Sequence, residues 1–267
     1  MLDAYRLERL PALPIVAAGV ACCDGELMVT GASAAGQPRV VGLAGNGRIV
    51  WQHAVPGPLP SRWPVPGCAR EPVIAWQTSP GRLELARVDA DGIGPRRPVP
   101  VGGPPLEIAA GPGAIWAAWA DASGIHGREI TTGDIRDIHL ATSRPSTVAI
   151  GACPGGACLA WTLNGSSFLA RVVSGMAVPD TAAPLDLADA DGGTLAVVSG
   201  PEPIVWAQRA ETIEGEPPRW ISVLVMPGAI SIEVEGLVHA VTWWGEAVAI
   251  VGAGELIVLK RGAGHRG

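Results

Sequence analysis

Lysine is all but absent from this chain: Lys260 stands alone among nineteen basic residues, and the net charge is −6. With its arginines scattered, the chain lacks the basic stripe that a phosphate backbone requires, which argues against a nucleic-acid partner. We read the imbalance between lysine and arginine as codon bias of a GC-rich genome. Charged residues make up only 16% of the 267 positions, so most strands are expected to be covered on both faces. No charged leader with a sustained apolar stretch opens the chain, and the Pro14–Cys23 segment is too short to cross a bilayer. The expectation is a cytoplasmic protein without membrane contact, the alternative being a secreted chain whose signal has been removed.

Cysteine is sparse and odd in number at five, which suits a disulfide framework poorly. Cys22, Cys23 and Cys68 lack the spacing of zinc ligands, and no Cys-x-x-Cys occurs. Cys153 and Cys158 flank Pro154-Gly155-Gly156-Ala157, a hairpin turn. Two small buried thiols beside that turn is the expectation in a reducing compartment, with a cross-strand bond as the alternative. Also missing are the Gly-x-Ser-x-Gly elbow, the phosphate-binding loop and His-Glu-x-x-His, so the common hydrolase and nucleotide motifs are absent. No cofactor or metal is expected.

What the sequence does hold is a period. Trp76, Trp119, Trp161 and Trp206 each lie near the end of a short apolar run, at steps of 43, 42 and 45 residues. Arg87, Arg128 and Arg171 follow the first three at similar offsets. Glycine and proline fall between the apolar runs rather than in tracts, marking many tight turns. A period near 42 with strand-sized runs is that of a propeller of four-stranded blades. The length divides into about six such units. The predicted fold is therefore all-β, a six-bladed β-propeller occupying 1–267 as one domain. Blade limits fall near 14–57, 58–103, 104–143, 144–185, 186–236 and 237–267. The last unit has only three convincing strands, and residues 1–12 are expected to supply its fourth, which removes a sheet edge.

Two stretches carry a resemblance. Gly45-Asn46-Gly47-Arg48-Ile49-Val50-Trp51 resembles the tryptophan-docking repeat of quinoprotein-like propellers. Gly111-Pro112-Gly113-Ala114-Ile115-Trp116, with Gly127-Arg128-Glu129-Ile130-Thr131-Thr132-Gly133, resembles blade repeats of the streptogramin-lyase and gluconolactonase-like propellers. The resemblance implies the propeller fold and no activity. Residues matching the metal site of the lactonase-like enzymes, or the catalytic set of the lyases, are not found.

Chemistry-bearing residues are few. Histidine occurs at His53, His126, His139, His239 and His265. His126 and His139 fall on third and outer strands, away from the axis. His239 is placed on the inner strand of the sixth blade, level with Glu107 of the third and Thr194 of the fifth. Glu107 and His239 facing one channel would serve as acid and base or as partial metal ligands, or would simply be the polar wall of a wet channel. Asp186, Asp189 and Asp191, and Asp89-Ala90-Asp91-Gly92, lack the spacing of a calcium loop and read as turn residues. Asn164-Gly165-Ser166 reads as a two-residue hairpin in preference to a glycosylation site.

The four repeated tryptophans are expected to fill the space between sheets. The off-register Trp63, Trp220, Trp243 and Trp244, with Thr194, are the candidates for a binding surface, Trp220 following the polar insertion Glu211–Pro218. The favoured reading is a non-catalytic interaction module that holds a partner protein on one face of the ring. The alternatives are a lyase or hydrolase at the axial channel mouth, and a propeller that binds a glycan or small molecule.

Overall fold

The computed structural model describes residues 5–56, 64–68, 71–79, 81–101, 107–111, 114–130, 136–143, 145, 147–153, 156–164, 166–173, 176–177, 183–185, 195–198, 204–212, 219–226, 230–252 and 255–261. The chain enters with β1 (Tyr5–Arg9) and then builds sheets in sequence order. The first holds β2 (Val16–Cys23), β3 (Glu26–Ala32), β4 (Pro38–Leu43) and β5 (Ile49–Ala54). The second holds β6 (Val65–Cys68), β7 (Pro72–Ser79), β8 (Arg82–Asp89), the short β9 (Gly92–Ile93) and β10 (Arg97–Pro100). β11 (Glu107–Gly111), β12 (Ala114–Asp121), β13 (Gly124–Glu129) and β14 (Arg136–Leu140) form the third. In the fourth, β15 (Thr147–Cys153), β16 (Gly156–Leu163) and β17 (Ser166–Val173) are joined by β18 (Met176–Ala177) and β19 (Ala183–Leu185), both paired with β17. The fifth is β20 (Leu195–Val198), β21 (Ile204–Glu211), β22 (Arg219–Met226) and β23 (Ile230–Glu235). β24 (Val238–Trp244), β25 (Ala247–Gly252) and β26 (Leu256–Arg261) make the sixth, and β1 lies antiparallel on β26 from Tyr5↔Arg261 to Arg9↔Ile257.

The first strands touch in cyclic order, β2 to β6, β11, β15, β20, β24 and back to β2. The molecule is thus a six-bladed β-propeller. Among the described residues no helix is long and apolar enough to cross a membrane.

Side-chain alternation explains how the ring holds together. Successive residues of a strand point to opposite faces of its sheet, and here each face meets a neighbouring blade. In β7, Ile74 and Trp76 pack with Met28 and Val40 of the first sheet. Ala75 between them packs with Ile115 and Ala117 of the third. The same division repeats around the ring, so that each of six buried clusters draws on two adjacent sheets. Fully burying one such Leu or Ile contributes about 1.5–3 kcal/mol. The low charge of the sequence follows from this architecture, since few strand positions meet water.

Turns and close approaches take the residues they need. Asp24 and Gly25 both have positive φ, 50° and 83°, closing the β2–β3 hairpin in two residues. Asn164 has φ 51° at the tip of the β16–β17 hairpin, where Leu163 pairs with Ser166, as the hairpin reading of Asn164-Gly165 anticipated. Gly42 lies opposite Trp51 in the β4–β5 ladder, and a Cβ there would sit 2.1 Å from the indole. The tryptophan docks on the bare backbone.

Two expectations need correction. The first concerns the tryptophans. Trp76 and Trp161 are buried against the preceding sheet, but Trp206 packs with Val241 and Val248 of the following one. Trp119 is only half-buried; in its blade Trp116, on the opposite face, is the tryptophan in the core. The phase of each strand within its own blade sets which face a repeated residue meets. The second concerns the cysteines. Cys23 and Cys68 are disulfide-bonded with their Cα atoms 5.1 Å apart, Cys158 is also disulfide-bonded, and Cys22 is free. The bonded pair ends β2 and β6, neighbouring first strands. Their separation of 45 residues is one blade period, which brings equivalent positions side by side. Burial raises the pKa of the Cys22 thiol above its ordinary value, which keeps it protonated and unreactive.

Candidate binding face

Antiparallel strands reverse direction at every turn, so chain connections alternate between the two ends of each blade. The links from one blade to the next and the turns between second and third strands share one end, called here the upper face. The turns between first and second strands lie on the lower face.

This division sorts the residues that the sequence singled out. Glu107 begins β11 and His239 is the second residue of β24, so both stand toward the upper face, on sheets three places apart in the ring. His239 is exposed and sits in a β-bulge, where the register shifts between Val238 and Ala240, whereas Glu107 is half-buried. Trp63 and Thr194 lie outside the described residues. Trp220, second in β22, is also at the upper face. Trp243 and Trp244 end β24 at the lower one, half-buried against two different core clusters. The tryptophans proposed as one surface are therefore divided between the two faces.

Trp220 is the center of an apolar patch. It is 41% exposed, and Leu237, in the link from β23 to β24, is 38% exposed. The N–H of Gly236 donates to the carbonyl of Trp220 at 2.8 Å, which fixes the two segments side by side. Next to Leu237, between the fifth and sixth sheets, is a cavity of about 200 Å³ lined by Val234, Ile250 and Ile257 and rimmed by Glu235 and Glu255. Arg219 stands 3.4 Å from Glu211 and 3.6 Å from Glu235. Glu255 is likewise 3.8 Å from Arg9; these pairs are all exposed and worth little to stability, so a partner's basic residue can replace the arginine at either rim carboxylate.

A second group was missed by the sequence reading. Trp119, His126 and His139 are direct cross-strand neighbors on β12, β13 and β14. Their rings stack in series, with centroids 5.5 Å and 4.7 Å apart. Beside them the β12–β13 turn is built by Asp121, whose Oδ1 accepts the backbone N–H and the hydroxyl of Ser123, both at 2.7 Å. His126 Nε2 lies 3.0 Å from Ser123 Oγ and 3.0 Å from Asp121 Oδ2. The ionised carboxylate only accepts, so the Ser123 proton points to Asp121 and the imidazole N–H donates to the oxygens. A serine nucleophile needs the reverse polarity, with the imidazole nitrogen accepting the hydroxyl proton. The group is therefore a polar turn and not a triad. The hydrogen bonds from Ser123, and then that from His126, hold the Asp121 carboxyl well below the usual carboxylate range. Only the pairing register, which the sequence does not print, brings residues 126 and 139 together.

Two of the repeated arginines, Arg87 and Arg128, pair with acidic side chains of their own blades. Arg87 reaches Glu71 and Asp89 at 3.3 Å, and Arg128 forms a bidentate pair with Asp137 at 2.6 and 2.9 Å while donating to the Pro100 carbonyl of the second sheet. Among the described residues no group of three or more His, Cys, Asp or Glu side chains is arranged to hold a metal ion.

No protein-family model matches the sequence, and no curated protein matches it. Solved structures do. A luciferin-regenerating enzyme matches with TM-score 0.56 at 10% identity, over 97% of this chain and 96% of that one. The WD40 repeats of RRP9 match with TM-score 0.50 at 8% identity, over 96% and 97%. A chain of the mitotic checkpoint complex matches with TM-score 0.50 at 9% identity, over 96% and 94%. An enzyme, a set of WD40 repeats and a chain of a checkpoint complex are thus all similar to this chain at identities where only the fold carries over: what this chain has in common with them is the β-propeller itself.

Proposed function

We propose that the chain is a non-catalytic interaction module that holds a partner protein on its upper face. The observation that carries this reading is the Trp220–Leu237 patch beside an apolar cavity with acidic residues at its rim. Large exposed apolar side chains next to a pocket, with polar residues around them, are the composition of an interface center. The partner that fits presents an apolar side chain to the cavity and a basic residue to Glu235 or Glu255. Glu107 and His239 are rim residues under this reading. The Cys23–Cys68 bond favors an oxidising compartment over the cytoplasm.

The test is affinity capture with the intact chain and with Trp220→Ala, followed by identification and by measurement of the purified pair. A partner retained by the intact chain and lost with Trp220→Ala supports the reading. A partner retained equally by both places the interface elsewhere.

A further inference from the structure

A second opening lies away from the Trp220 patch. Between the sixth and first sheets is a groove of about 580 Å³, within the usual size of a small-molecule site. Trp244 forms one wall, and its indole N–H donates to the Gly25 carbonyl at 2.9 Å. That bond fixes the ring across the junction of two blades and uses its only donor. What the indole has left to offer is its apolar surface. Gly25, Gly45 and Gly245 leave open space beyond their Cα atoms, exposing bare backbone along the groove.

The polar edge is equally specific. Asn46 Oδ1 accepts the N–H of Arg48 at 3.0 Å, leaving the amide hydrogens for another acceptor. Glu8 and Lys260 pair across the other edge, and Lys260 holds the Glu8 carboxyl below its ordinary pKa. The two charges cancel, so the groove favors neither an anion nor a cation, yet both groups retain hydrogen-bonding capacity. An apolar ring at one wall with neutral or mutually neutralised polar groups at the other matches a ligand with one C–H face and a rim of hydroxyls.

We propose that this groove binds a neutral saccharide of one or two pyranose rings, stacked on Trp244 and hydrogen-bonded by Asn46 and the Glu8–Lys260 pair. The site is independent of the protein partner proposed above.

The experiment is ¹⁹F NMR of the full chain labeled with 5-fluorotryptophan, the Trp244 resonance being assigned through Trp244→Phe. Maltose, cellobiose and diacetylchitobiose are each titrated to about 20 mM, a range that detects weak binding. A saturable shift of the Trp244 resonance with at least one sugar is expected. Calorimetry with that sugar should then show about tenfold weaker binding for Asn46→Asp, which keeps the oxygen that accepts from Arg48, and for Glu8→Gln, with no change for Trp220→Ala. Silence at Trp244 with all three sugars overturns the proposal. So does binding that survives Trp244→Phe, Asn46→Asp and Glu8→Gln unchanged, or saturation by benzoate in place of the sugars.

Discussion

Cys23 and Cys68 end the first strands of two adjacent blades and are joined by a disulfide. The bond ties the first blade to the second at the lower face, while at the opposite end of β6 Thr30 Oγ1 donates to the Pro64 carbonyl at 2.5 Å and joins the same two blades. It closes a loop that contains nearly one whole blade.

Alkylation of the unfolded, unreduced protein is expected to label Cys22 and leave Cys23, Cys68 and Cys158 protected. The double substitution Cys23→Ser with Cys68→Ser should lower stability by about 3–4 kcal/mol, the loop-closure effect for a segment of this length, read as a lower urea midpoint. Full labeling of Cys23 and Cys68 in protein purified without reductant would show that the bond does not form.

Gly42→Ala should destabilise the first blade by about 1–3 kcal/mol, the range for an overpacked site, because its new Cβ meets the Trp51 indole. The cost depends on that ring, so Gly42→Ala and Trp51→Ala combined should cost less than their sum. Chemical denaturation of the four proteins measures the coupling, and strict additivity would mean that the two do not meet.

Trp220→Ala leaves the chain's own stability within about 0.5 kcal/mol, as exposed substitutions do, and weakens partner binding by about 2 kcal/mol or more, as a central aromatic does. A fall in melting temperature that matches the loss of binding would mark Trp220 as a structural residue instead.

The Asp121 turn predicts an acid response. The folded-state pKa of Asp121 is depressed, so its contribution to stability is complete above the unfolded-state pKa, near 4. It diminishes as the pH falls below that value toward the folded-state pKa. Relative to Asp121→Asn, the intact chain should lose its advantage between about pH 5 and pH 2. Urea midpoints of the two proteins across that interval decide it, and an advantage that stays constant throughout would mean that the turn hydrogen bonds do not depend on the charge.

Much of the architecture was legible in the chain alone. The spacing of the tryptophans and the Gly/Pro turns marked the repeat, because four strands and their turns use a near-constant number of residues per blade. Asn164-Gly165 declared its hairpin, because positive φ admits few residue types.

Face, register and proximity were decided only in three dimensions. Packing within the ring turned Trp206 toward the sixth sheet, while Trp76 and Trp161 look back. Pairing of β13 with β14 set His126 against His139, and the junction of the first and last blades brought Asn46 to the same groove as Trp244. A sequence specifies its period through local geometry. Contacts between residues a blade or a whole chain apart depend on the sum of all the turns between them, and only the closed ring fixes that sum.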